Sequence, residues 1–226
     1  MRGVQEEGAM AARRKTRPHT SDRGLRRPEP QWTREPIHLC VEGQGEEQYL
    51  RAPMEYRHPK QFAPKFIGDK GRRQGRKISL INLVKAAEKY ERAEQLQEVI
   101  WIVCDVDRNK IHCGELERWR REGDNHRSTL QSAALEGWLL QHLDNPGRPF
   151  TATEAISMLK AQWSRYVKGC DIPEWLIKCT DEACRREKHF LGGQNNSGVW
   201  PVDRSSQMPA LIEYLDERAR RRDQRA

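Results

Sequence analysis

The sequence predicts an α/β fold: a mostly parallel sheet flanked by helices, with a helical extension on its C-terminal side. Three observations carry this. Glu98-Val-Ile-Trp-Ile-Val-Cys104 is apolar without alternation, as expected of a strand covered on both faces inside a parallel sheet. Ile37-His-Leu-Cys-Val41 is a second short apolar run with β-branched residues. Beyond Asn145-Pro146 the apolar spacing is helical throughout.

Taken in order, Ile37–Val41 reads as the first strand. Gly43 and Gly45 mark a turn into a helix over about 46–56, which Pro59 stops. Pro64–Ile67 reads as a weak second strand. Ser79 stands at the N-cap of a helix carrying Leu80, Leu83, Val84, Ala87 and Tyr90 on one face. The strand 98–104 follows, then a polar helix from Gly114 to Glu122, a short strand at Ser128–Leu130, and a helix with Leu135, Trp138, Leu139 and His142 on one side. In the extension, Thr151 caps a helix over 155–167, 173–178 and 181–190 are short helices, and 208–218 is the last. The expected domain plan is a disordered basic arm over 1–35, the α/β domain over 36–145, the helical extension over 146–218, and a basic tail over 219–226.

The chain has 226 residues, 33 % of them charged, with a formal net charge of +8. Its mean hydropathy of −0.96 and the lack of a long apolar run argue against a membrane span. The N-terminus shows no hydrophobic core of a secretory signal. Six cysteines lie mostly singly in apolar stretches, a pattern of reduced thiols in a cytoplasmic protein. Cys40 and Cys104 are read as small core residues. Cys170, Cys179, Cys184 and His189 lack the paired spacing of a structural zinc site. Trp101, Trp138, Trp163 and Trp175 are read as core, while Trp32 and Trp200 fall where they could stack bases.

Surplus positive charge raises affinity for polyanions. The most concentrated internal run is Lys65-Phe-Ile-Gly-Asp-Lys-Gly-Arg-Arg-Gln-Gly-Arg-Lys77, whose glycines suggest a loop. Arg72, Arg73, Arg76 and Lys77 are its candidate nucleic-acid contacts, and Arg108 and Lys110 join them through nearness to an acidic cluster. That cluster is the main chemical signal. Glu42 follows the first strand, and Asp105 and Asp107 follow the apolar one. The carboxyl ends of strands are where ligand crevices form in open α/β sheets. Three carboxylates without a basic partner repel one another unless a cation sits among them, and hard oxygen donors suit Mg²⁺ or Mn²⁺. Glu46, one helical turn beyond Glu42, adds a further oxygen. The plainer reading is that such acids cap helices.

These residues also carry a resemblance. The pattern strand–Glu42-Gly43-x-x-Glu46-x-x-Tyr49, then strand–Asp105-x-Asp107, resembles the Toprim fold of topoisomerases, primases and several nucleases. Within that group the chain resembles the RloB family of bacterial restriction and anti-phage loci. Leu135-Glu136-Gly-Trp138-Leu139-Leu140-Gln-His142 is similar to its Phe-Glu-x-Trp-Leu-Leu-x-His stretch, Tyr166-Val-Lys168 to its Tyr-x-Lys, and Asp203-Arg-Ser-Ser-Gln-Met-Pro-Ala-Leu211 to its Asn-Pro-Ser-Thr-x-Val-x-x-Leu. The chain departs from it at Gln131-Ser132-Ala133, where the family has Ser-Asn-Pro.

The resemblance implies a Toprim-like, Mg²⁺- or Mn²⁺-dependent nuclease of anti-phage defence cutting DNA or a tRNA-like RNA. Glu42, Asp105 and Asp107 would be its metal ligands, and Glu42, with Glu46 and Glu136, would assist catalysis. The partners implied are nucleic acid and a partner ATPase or other defence-complex protein, with self-assembly left open. The chain carries no Gly-x-x-x-x-Gly-Lys-Ser/Thr loop of its own. The alternative is a non-catalytic subunit that holds nucleic acid within a larger defence complex.

Overall fold

The computed structural model describes residues 34–68, 78–106 and 113–224. The expected arm up to residue 33, Trp32, the basic residues Arg72, Arg73, Arg76, Lys77, Arg108 and Lys110, and Asp107 lie outside the described residues.

Among the described residues a four-stranded, all-parallel sheet forms, with order β2-β1-β3-β4. Its strands are β1 (Glu35–Val41), β2 (Phe62–Ile67), β3 (Ile100–Asp105) and β4 (His126–Gln131). Side chains alternate between the two faces along a strand, so each strand feeds two cores. Ile37, Leu39 and Val41 with Trp101 and Val103 face one, together with Tyr49, Leu50, Trp138, Leu139, Leu211 and Leu215. Cys40, Ile100, Ile102, Cys104 and Leu130 face the other, against Leu80, Leu83, Val84, Leu116 and Trp119. β3 is buried along its whole length, which is why its sequence shows no alternation. Cys40 and Cys104 are fully buried core residues, as expected.

Strand β1 begins two residues earlier than the apolar run suggests. Glu35, expected in the arm, is already hydrogen-bonded: its N–H reaches the Gln61 carbonyl at 2.8 Å, and its carboxylate pairs with Arg218 and Arg222. Helix α1 (Gln44–Ala52) stops earlier than predicted, because Pro53 lacks the N–H that the ladder needs. Residues Pro53–Arg57 continue as one wide π-helical turn, closed by the His58 N–H on the Pro53 carbonyl at 3.1 Å. Helix α2 (Leu80–Glu94) does begin after Ser79, but the Ser79 hydroxyl makes no cap bond; its carbonyl serves the N–H groups of Asn82 and Leu83 instead.

Helix α3 (Cys113–Glu122), read as polar, buries Trp119 completely, and its indole stacks on His126 at 4.2 Å. Helix α4 (Leu135–Leu140) is followed by α5 (Ala152–Gln162), whose Thr151 hydroxyl accepts the Glu154 N–H at 3.1 Å. The predicted run to 167 ends instead at Trp163, which packs with Tyr166 against the first core. Helices α6 (Glu174–Ile177) and α7 (Thr180–Leu191) follow. Trp175, expected in the core, is 48 % exposed. The last helix, α8 (Met208–Asp223), runs through most of the expected basic tail. Ala219 is buried, and Arg218 and Arg222 reach back to Glu35, so tertiary contacts hold the arginine-rich turn helical.

Loop 196–207 and the start of α8 cover the upper half of β4's outer edge. The Gln207 side chain accepts the Leu130 N–H at 3.1 Å, the Gln207 N–H donates to the Leu130 carbonyl at 3.0 Å, and the Thr129 hydroxyl donates to the Gln207 carbonyl at 2.6 Å. Among the described residues no helix is long and apolar enough to cross a membrane.

Candidate active site

The carboxyl ends of β1 and β3 lie side by side, with Val41 paired to Val103. The first residue past β1, Glu42, is therefore level with the end of β3. Its Oε2 accepts the backbone N–H of Asp105 at 2.9 Å. The Asp105 carboxylate in turn accepts the Leu135 N–H at 2.9 Å, at the first turn of α4. The two acids are 3 % and 1 % exposed. Burying a carboxylate is costly unless donors meet it, and here backbone N–H groups supply part of that. Asp105 thus does one job the plainer reading assigns to it, serving an orphan N–H of a helix start, while remaining beside Glu42.

Two further acids stand at this edge. Glu46 is on α1 and Glu136 on α4, and both are buried. The first turns of these helices meet: a Cβ placed on Gly45 would lie 3.4 Å from a Leu135 methyl. Glu136 Oε1 accepts the Tyr166 hydroxyl at 2.8 Å and lies 3.4 Å from Lys168 Nζ. Its Oε2 is buried with no hydrogen-bond partner. Burial, and then the charges of Glu136 and Glu46, push the Tyr166 hydroxyl far above its ordinary pKa, so it stays a donor. Gly169 follows with φ +77°, and a Cβ there would press on the Gln44 side chain at 3.4 Å. This left-handed residue lets the 166–169 segment lie against the start of α1.

Glu42, Asp105, Glu46 and Glu136 therefore all sit at or beside one sheet edge. In donor type, these oxygens suit a hard cation. Among the described residues, no group of three or more His, Cys, Asp or Glu side chains is placed to hold a metal ion, and the third predicted ligand, Asp107, is outside them. The orphaned Glu136 Oε2 is an oxygen that such a cation would satisfy.

A family model described as RloB-like protein matches residues 37–215. The chain belongs to the RloB-like family. No curated protein and no solved structure matches it. Of the three segments that carry the RloB resemblance, two meet at Glu136 and the third lies beside β4. Leu135–His142 forms α4 and the turn after it, and Tyr166 with Lys168 binds the Glu136 of that segment. Ser205–Gln207 runs beside the end of β4. Gln131, where this chain departs from the RloB pattern, pairs with Asp105 in register and is fully buried, with its Oε1 unpartnered. The sequence marks Gln131 only as a departure from the family pattern, and the strand register is what places it beside Asp105.

His142 belongs to the core. Its Nδ1 faces the Trp138 carbonyl at 3.2 Å and its Nε2 faces the Tyr49 hydroxyl at 3.5 Å, consistent with a neutral ring protonated at Nδ1. Burial pushes its pKa down to about 4. The unfolded chain takes up this proton near 6.5, so between these values unfolding binds an extra proton. The contribution to stability is complete above about pH 6.5 and is lost as the pH falls. It amounts to roughly 1.4 kcal/mol per pH unit, or about 2 kcal/mol from pH 7 to pH 5. Buried His38 shifts the same way. Urea midpoints at pH 7, 6 and 5 should fall accordingly, with a shallower slope for His142→Gln; an equal slope in the variant would show that His142 contributes nothing.

Proposed function

We propose that this RloB-like protein is a metal-dependent nuclease of Toprim type, acting as an effector in anti-phage defence on DNA or a tRNA-like RNA. The observation that carries the reading is the placement of Glu42 and Asp105: two buried acids at the ends of adjacent parallel strands, with the Glu42 carboxylate accepting the Asp105 backbone N–H at 2.9 Å. Acids held this deep are costly to stability, and a hydrolytic site gives a reason to keep them.

Glu42 and Asp105, with Asp107, would hold Mg²⁺ or Mn²⁺, which supplies charge neutralisation at a phosphate oxygen when bound. The chain's own residues do the rest. The Asp105 N–H orients the Glu42 carboxylate, and the Leu135 N–H orients that of Asp105. Glu42 is the candidate to move a proton to or from the reacting oxygens. Arg72, Arg73, Arg76, Lys77, Arg108 and Lys110 would anchor the phosphate backbone. A partner ATPase or other defence-complex protein would regulate cleavage.

The test is incubation of the full chain with Mn²⁺ or Mg²⁺ and mixed DNA and RNA, followed by sequencing of the cut ends. Metal-dependent cutting that is lost in Asp107→Asn is the expected result. Asp105's service to α4 favours a second reading, a non-catalytic subunit that binds nucleic acid. Binding without any cutting, alike in both proteins, would support that reading and overturn the nuclease.

A further inference from the structure

Far from the acidic edge, a groove of about 760 Å³ crosses the lower, uncovered half of β4's edge, between α3 and α8. Arg120 of α3 and Arg127 of β4 line it. Neither makes an ion pair with an acid among the described residues. Arg120 is half-buried, and burial, then the charge of Arg127, lowers its pKa. Two neighbouring guanidinium groups without a counter-charge repel each other, and an anion between them would relieve this.

The groove's acids do not supply that charge. Glu213 is engaged by Lys188, and Glu217 by Arg221. Two residues of the wall carry buried donors. Ser128 Oγ and Trp101 Nε1 have no hydrogen-bond partner, in residues that are 8 % and 4 % exposed. Unpartnered buried polar groups are unusual in a native fold and point to an absent partner. Beside them, the half-buried Tyr214 ring lies 5.5 Å from that of Trp101, a surface on which a planar base could rest.

We propose that this groove is a binding site for a phosphate-bearing ligand of mononucleotide size, with Arg120 and Arg127 on its phosphoryl group and Tyr214 against its base. Its volume falls in the ordinary range for small-ligand sites. Trp101 lies four residues before Asp105, roughly 13 Å along the strand, so ligand here and substrate at the acidic edge would not collide. The inference does not rest on the nuclease reading.

Calorimetric titration of the full chain in EDTA, with AMP and with inorganic phosphate, tests the site apart from any cleavage. Saturable one-site binding of AMP is expected, with phosphate weaker. Arg127→Gln, at an exposed position that leaves the fold intact, should weaken AMP binding at least about tenfold, and Arg120→Gln should do the same. Competition by a 5′-phosphorylated short oligonucleotide, but not its unphosphorylated counterpart, would identify the phosphate source as a strand end; competition by neither would identify a free nucleotide. Absence of saturable AMP binding at millimolar concentration, or AMP affinity unchanged from the parent in both arginine variants, would overturn the proposal.

Discussion

Asp105→Asn should abolish metal-dependent cleavage while leaving the protein folded, and Asp105→Ala should do both kinds of damage. The difference follows from the two contacts this residue makes. Its carboxylate accepts the Leu135 N–H at the start of α4, and its backbone N–H donates to Glu42. Asparagine keeps a carbonyl oxygen for Leu135 but removes the negative charge that a cation requires. Loss of one charge-stabilising group in a water-poor site typically lowers the rate by about two to three orders of magnitude. Alanine also strands the buried Leu135 N–H, which costs about 1–2 kcal/mol of stability. Cleavage assays with thermal melts on both variants separate the effects. Cutting by Asp105→Asn at the parental rate would remove Asp105 from the chemistry and leave it a helix-capping residue.

Glu187→Ala should destabilise the protein by about 3–5 kcal/mol, the range for breaking one side of a buried ion pair. Glu187 is fully buried on α7. One oxygen accepts Arg148 and the other accepts the Ser206 N–H at 2.7 Å. Arg148 also lies over the Phe190 ring at 4.1 Å and donates to the carbonyls of Arg186 and Arg204. Removal of the carboxylate leaves a largely buried guanidinium without its counter-charge and frees the segment that seals the end of β4. Glu217→Ala, which removes an exposed pair with Arg221 on α8, should cost less than about 1 kcal/mol. Urea unfolding of the two variants beside the parent measures both. A Glu187→Ala midpoint within error of the Glu217→Ala one would show that the buried pair adds nothing.

The strands and their neighbours were legible because local pattern and tertiary placement agree. The unbroken apolar run became β3, buried on both faces, and the Gly-flanked end of β1 led directly into α1. Where local signals misled, a long-range contact or a single backbone group decided. Trp119 sits in a segment whose composition reads as polar, yet its stacking partner His126 comes from the next strand. The arginine-rich turn of α8 reads as a tail, yet it is held by Glu35 from the other end of the chain. Pro53 ended α1 early, although Pro59 is the more conspicuous stop signal.

The candidate site divides in the same way. Glu42 and Asp105 were recognisable from sequence alone, because Glu42 follows β1 directly and Asp105 closes β3, and the carboxyl ends of parallel strands are brought to one edge. Sequence likewise determined the family, through segments spread from residue 37 to residue 215. Only the tertiary structure decided that Asp105 serves the start of α4, that Tyr166 and Lys168 converge on Glu136, and that Gln131 lies buried level with Asp105. Only it could show that Arg120 and Arg127 line one groove beside β4. The physical reason is range: periodicity and spacing report on neighbours within a turn or a pleat, whereas these contacts join residues 7 to 32 positions apart, through strand register and helix packing that no local pattern encodes.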